Sequence, residues 1–166
     1  MDNYEKVRFS ESSQIEIPDE LKSKEILNGL DDIVGVYGFF ACKGDENICF
    51  YIGKSVTVFG RLFKASDGHI YQYLRYLDTD NKGWLEKLVP CKINEYLNAG
   101  YKIKVEILEI VNYSDSEYSR AAHRLALAEL KQIVDYQEQG QCLEQQPEGA
   151  NDYNYWLEHY SISEQK

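Results

Sequence analysis

The chain has 166 residues, 43% of them hydrophobic, and its 18 basic against 28 acidic side chains give a formal net charge of −10. That length supports one compact core and is short for two, and the sign of the charge excludes a protein that holds nucleic acid by bulk positive charge alone. No apolar run approaches the roughly 18 residues of a membrane span, and the acidic opening "MDNYEKVRFSESSQIEIPDE" lacks the basic head and apolar body of a secretory leader, so a cytoplasmic protein with no membrane partner is expected.

Residues 1–32, with Pro18 in an acidic stretch, are expected to form an arm or a peripheral helix over Glu20 to Leu30. Ile33 to Cys42 is rich in Val, Tyr and Phe, "KGDEN" supplies turn chemistry, and Ile48 to Ile52 returns as a second β run, which predicts a hairpin. The spacing of Val56, Phe59, Leu62 and Phe63 predicts a short helix over Val56 to Lys64, and "HIYQYLRYL" at His69 to Leu77 predicts another. "GWLEKLVPCKINEYLNAG" reads as two helical pieces broken at Pro90 and stopped at Gly100. Ile103, Val105 and Ile107 alternate with Lys102, Lys104 and Glu106, so Lys102 to Val111 is expected to be a strand with one buried face. Ser114 with Glu117 has the spacing of a capping box and opens a long helix to about Gln139. The order β, β, α, α, α, β, α predicts an α+β fold whose small, mostly antiparallel sheet, a β-hairpin plus a third strand, is flanked by helices. Residues 33–143 would be the domain, 78–100 a helical insert within it, and 144–166 an acidic C-terminal extension.

Charge is unevenly placed. Residues 1–34 hold four basic against nine acidic side chains and residues 113–166 hold four against ten, which leaves the middle close to neutral. Acidic flanks read as solvated surface, as a dock for a protein partner, or as selectivity against non-specific binding to nucleic acid.

Several patterns bear on chemistry. "GKS" at Gly53 to Ser55 ends like a phosphate-binding loop, but that loop needs a glycine five positions before Gly53, where Ile48 stands. Cys42, Cys49, Cys91 and Cys142 contain no CxxC pair and, with 3 histidines in the chain, no zinc pattern, so thiols are expected. In the last long helix Arg120, Arg124, Lys131, Asp135 and Glu138 fall in a polar stripe, and Tyr118, Ala122, Leu125, Ile133 and Tyr136 in an apolar one. Glu129 lies in the apolar stripe, where an unpaired carboxylate costs several kcal/mol. Pairing with an arginine or a tyrosine hydroxyl accounts for it, and so does work as a metal ligand or catalytic carboxylate. Arg61 follows the hairpin among Phe59, Leu62 and Phe63, so its fork of donors can reach the sheet face that carries the tyrosines. Two phenols, an arginine and a carboxylate suit the cutting of a phosphodiester.

These residues resemble the GIY-YIG nuclease family. "GVY" at Gly35 to Tyr37 is similar to the first signature with valine for isoleucine, and "YIG" at Tyr51 to Gly53 matches the second unchanged. Arg61 falls eight residues after Gly53, the family's offset, and Glu129 with Ile133 in "LAELKQI" resembles its helix-borne glutamate. The family often has a histidine or tyrosine four residues after the arginine. Ala65 holds that position here; His69 is the nearest histidine, with Tyr71 and Tyr73 as alternatives. In "CLEQQPEG" Leu143 matches, and Glu144 stands where many members have an asparagine.

The resemblance implies a metal-dependent endonuclease acting on DNA, with RNA as the alternative nucleic acid. Tyr37 would take the proton from the attacking water, helped by a nearby cation because a free phenol has a pKa near 10, and Tyr51 would orient the water or the Tyr37 hydroxyl. Arg61 would neutralise charge on the scissile phosphate, His69 would complete the site, Lys54 and Ser55 would touch phosphate, and Glu129 would hold Mg²⁺ or Mn²⁺. Gly35 and Gly53 would let backbone pack beside the tyrosines. The choice of target would fall to the 78–100 insert, to a homodimer or to a protein partner. The alternative is a non-catalytic module of the same fold that docks a protein, with Glu129 paired structurally to Arg61.

Overall fold

The computed structural model describes residues 15–16, 33–64 and 67–162. The helix expected over Glu20 to Leu30 and the position of Ala65 lie outside the described residues.

Both β-rich runs are strands, β2 (Gly35–Lys43) and β3 (Glu46–Ser55), joined by a tight turn. The alternating run becomes β4 (Lys102–Ile110), with Ile103 and Val105 buried. Strands β4, β2 and β3 form an antiparallel three-stranded sheet. The N-terminal stretch adds a two-residue strand, β1 (Ile15–Glu16), which pairs in parallel with Ile103 and Lys104 of β4. An acidic arm did not suggest that strand, because two residues carry no period that a sequence can show.

Helices cover both faces of the sheet. On one face α1 (Val58–Phe63), α2 (His69–Thr79), a 3₁₀ turn (Lys82–Leu85) and α3 (Leu88–Asn98) close over Tyr37, Phe39 and Val105. On the other, α4 (Tyr118–Glu138) lays Leu125 and Ala128 over Val36, Phe40 and Ile52. Fully burying a large apolar side chain contributes about 1.5–3 kcal/mol before entropy is counted, so these two layers carry most of the stability. The 78–100 stretch belongs to the first layer, since Val89 and Ile93 are buried in it. The last helix, α5 (Tyr153–His159), has no buried residue.

Three local expectations are corrected. Pro90 does not break a helix: it sits in the first turn of α3, where a missing N–H removes no intrahelical bond, and the break falls before Leu88. The Ser114–Glu117 capping box does not form, and Glu117 caps α4 with no side-chain bond. Asp115 instead accepts from the Glu117 N–H at 3.0 Å and from Arg120 and Arg124 at 2.8 Å each. Arg120, the Glu117 N–H and Arg124 together hold the Asp115 carboxyl well below the usual carboxylate range. The buried stripe of α4 runs through Ala121, Leu125 and Ala128, while Tyr118 is exposed. Among the described residues no helix is long and apolar enough to cross a membrane.

Candidate active site

Strand pairing builds the first half of the site. Tyr37 pairs with Gly53, and Phe39 with Tyr51, so both tyrosines stand on the face covered by α1 and α2. A bulge opposite Phe39 and Phe40 takes Phe50 out of the ladder, which places Phe50 on that same face beside Tyr51. Tyr37 is fully buried and Tyr51 half-buried, with ring centroids 6.5 Å apart.

Gly53 makes room for this arrangement. A Cβ there would lie 2.5 Å from the Tyr37 hydroxyl oxygen and 2.6 Å from its Cζ, so the phenol lies across the glycine Cα. Gly35 has a different partner from the one expected: its Cβ would strike the Glu109 carbonyl of β4 rather than a tyrosine.

His69 opens α2 and is buried against the tyrosines. Its Nε2 is 3.1 Å from the Tyr37 hydroxyl, and its ring centroid is 5.1 Å from that of Tyr51. Burial first, then the charges of Arg61 and Lys87, lower its pKa from 6.5 to about 3. The ring is therefore neutral, and with its proton on Nδ1 it accepts from Tyr37. Arg61, the only basic residue in the last turn of α1, donates to the Asp67 carbonyl at 3.2 Å and lies within hydrogen-bonding reach of both phenols.

The phenols themselves hold their protons tightly. Burial raises the Tyr37 pKa far above the ordinary phenol value, with Tyr51 adding to the rise and Arg61 opposing it. Burial also raises Tyr51, against Arg61 and with the help of Glu129 and Glu148. Arg61, one of the cations that could make Tyr37 a base, opposes this rise without outweighing desolvation.

Glu129 and Lys54 form the second half. Lys54 pairs in register with Val36, whose side chain faces α4, so Lys54 points to the opposite side of the sheet from Tyr37. There its Nζ donates to Glu129 Oε2 at 2.6 Å. The structure thus divides the expected residues: Tyr37, Tyr51, Arg61 and His69 meet on one face, while Lys54 and Glu129 meet on the other. The Glu129 charge still reaches both phenols around the β3 edge. Glu129 pairs with Lys54 and not with Arg61. Ser55 spends its hydroxyl oxygen on the Thr57 N–H at 3.0 Å, a turn bond that leads into α1.

Other residues complete the site. Gln145 reaches the outer edge of β3 and grips Ile52 twice, accepting from its N–H at 2.9 Å and donating to its carbonyl at 2.6 Å. This side-chain amide mimics a neighbouring strand between Tyr51 and Gly53 and leaves no open edge there. Glu144 turns away to pair with Lys92 at 2.7 Å. Nothing in local spacing marks Gln145, Glu148 or Lys87; only the tertiary path of residues 141–148 brings the first two beside β3.

Divalent-cation chemistry at the site would draw on Glu129. Mg²⁺ is commonly held by one or two carboxylates with waters and substrate phosphates, and Glu129, whose carboxylate already draws a cationic ammonium, fits that role. Among the described residues no group of three or more His, Cys, Asp or Glu side chains is placed to hold a metal by itself. Compared with family models, with curated proteins and with solved structures, the chain matches none.

Proposed function

We propose that the chain is a GIY-YIG-type endonuclease that hydrolyses phosphodiester bonds in DNA with the help of Mg²⁺ or Mn²⁺. The observation that carries this reading is the convergence of Tyr37, Tyr51, His69 and Arg61 on one sheet face, with Tyr37 hydrogen-bonded to His69 at 3.1 Å. It adds to the spacing of "GVY", "YIG", Arg61 and Glu129 along the chain.

Tyr51, the more open phenol, meets and orients the attacking water. The water's proton passes to Tyr37, with Arg61 and the divalent cation when bound offsetting the burial that raises the phenol, while neutral His69 holds the Tyr37 hydroxyl in place through Nε2. Arg61 spreads its fork toward the phosphate oxygens and offsets the charge that grows on them. Glu129 would hold the divalent cation, which when bound supplies polarisation of the phosphate and charge for the leaving 3′ oxygen. Lys54, released from Glu129, adds a second positive charge at the β3 edge.

One observation favours a second reading, a non-catalytic module of this fold that docks a protein: the Glu129 carboxylate, which would hold the metal, is already in an ion pair. The deciding experiment is incubation of purified protein with supercoiled plasmid, single-stranded DNA, branched DNA and RNA in Mg²⁺ or Mn²⁺, beside Glu129→Gln and Tyr37→Phe. Metal-dependent cutting that both substitutions abolish supports the nuclease. A folded protein that cuts none of these overturns it in favour of the module.

A further inference from the structure

Cys49 and Cys142 are separated by 93 residues in sequence, and their Sγ atoms lie 3.3 Å apart. Both side chains are buried, in the layer between β3 and α4. Their backbones are already joined, since the Cys142 N–H donates to the Cys49 carbonyl at 3.2 Å. Cys142 holds φ at 55°, a left-handed conformation that side chains seldom adopt, and it turns its thiol inward toward Cys49. A cavity of about 230 Å³, lined in part by Cys49, Lys92, Tyr96, Cys142 and Leu143, adjoins the pair and is large enough for a small oxidant.

We infer that Cys49 and Cys142 form an oxidisable dithiol that a small peroxide converts to an intramolecular disulfide, tying the 141–145 segment covalently to β3. All four cysteines of the chain are thiols in the structure. The two members of the pair are unequal: the Cys142 thiol is pulled below its ordinary pKa by the hydrogen bond with Cys49, while Cys49 is pushed up. Cys142 keeps 5% of its surface exposed and Cys49 none, so Cys142 is the sulfur that a peroxide meets first and the one that attacks as thiolate. Its sulfur takes one oxygen from hydrogen peroxide, the O–O bond breaks, and the other oxygen leaves as water after taking a proton. The Cys49 sulfur then attacks Cys142 Sγ, the S–O bond breaks, and a second water departs with the Cys49 proton. Two thiols and one peroxide give one disulfide and two waters. The step closes the 3.3 Å gap between the sulfurs to a covalent bond of about 2.05 Å, between backbones already hydrogen-bonded to each other.

The consequence falls on the strand that carries Tyr51. In the reduced protein the 141–145 segment is held to β3 by hydrogen bonds that can open: Gln141 accepts from the Cys49 N–H, Gln145 from the Ile52 N–H, and the Cys142 N–H donates to the Cys49 carbonyl. In the oxidised protein the tether two residues before Tyr51 is permanent until a reductant arrives. This inference does not depend on the nuclease reading.

The test is mass spectrometry of the full-length reduced protein before and after a stoichiometric dose of hydrogen peroxide, with peptide mapping under non-reducing conditions. The expected product is lighter by two hydrogen atoms, contains a Cys49–Cys142 cross-linked peptide, melts at a higher temperature and reverts with dithiothreitol. Cys42 and Cys91 serve as internal controls, because the Cys91 thiol is pushed up by burial and by Glu95 and reacts more slowly. In Cys49→Ser the product becomes a sulfenic acid on Cys142 that a dimedone probe labels. If Cys49 and Cys142 both remain alkylatable after denaturation while Cys42 or Cys91 is oxidised, or if the bridge joins two chains, the inference is overturned.

Discussion

The Tyr37 hydroxyl lies across Gly53, at a distance of 2.5 Å from where a side chain would begin. A methyl group at residue 53 must push the fully buried phenol aside, and with it the bond to His69. Gly53→Ala is therefore expected to cost about 1–3 kcal/mol, the usual penalty of forced overpacking. Thermal melting should show a fall of several degrees and near-UV dichroism a changed tyrosine signal. An unchanged melting temperature would mean that Tyr37 is free to move.

His69 makes stability depend on pH in one direction. The folded protein keeps the ring neutral down to about pH 3, whereas the unfolded chain binds a proton below about 6.5. The unfolded state then carries more protons in that window, so stability present above pH 6.5 is lost as pH falls toward 3. Between pH 6.5 and about pH 5 the loss from this group alone amounts to about 2 kcal/mol. Urea titrations of wild type and His69→Gln at both pH values measure it as a difference in slope, since the carboxylates contribute equally to both proteins. Parallel slopes would refute a buried neutral His69.

Lys54 and Glu129 retain contact with water, with side chains 34% and 16% exposed. Screening of this kind keeps their coupling at about 1 kcal/mol, short of the roughly 3–5 kcal/mol lost when a fully buried pair is broken. A double-mutant cycle with Lys54→Met and Glu129→Gln reads the coupling by chemical denaturation. A value near the lower figure leaves Glu129 available for a cation; one near the upper figure makes the pair structural and favours the docking module.

Gln145 is expected to hold the edge of β3 in shape. Gln145→Ala removes both bonds to Ile52 and should cost about 1–3 kcal/mol, with the freed N–H at the buried strand position responsible for most of it. Hydrogen exchange should accelerate at least about tenfold at the Ile52 amide, and much less at Cys49, whose amide is held by Gln141. Equal acceleration at the two positions would show that the edge opens as a unit.

Much of the frame was legible in the chain because it rests on short-range pattern. Period-two alternation at Ile103, Val105 and Ile107 made a strand, and the aromatic runs around "KGDEN" made a hairpin that turns Tyr37 and Tyr51 to one face. Helical spacing carried Arg61 to that same face. The Ser114–Glu117 spacing does not cap α4, because Asp115, one residue beyond Ser114, gathers the Glu117 N–H and two arginines that only the folded turn brings together.

The sequence by itself determined one α+β domain core, the tyrosine-bearing hairpin and the arginine that follows it, because each depends on neighbours within a few residues. Tertiary structure decided which groups these residues meet. His69 reaches Tyr37 across 32 positions, Glu129 finds Lys54 across 75 and Gln145 finds Ile52 across 93. Such contacts arise from the packing of whole layers, so no local period encodes them. The division of the site between two faces follows from the pleat at Gly53 and Lys54, where consecutive side chains point to opposite sides of one strand.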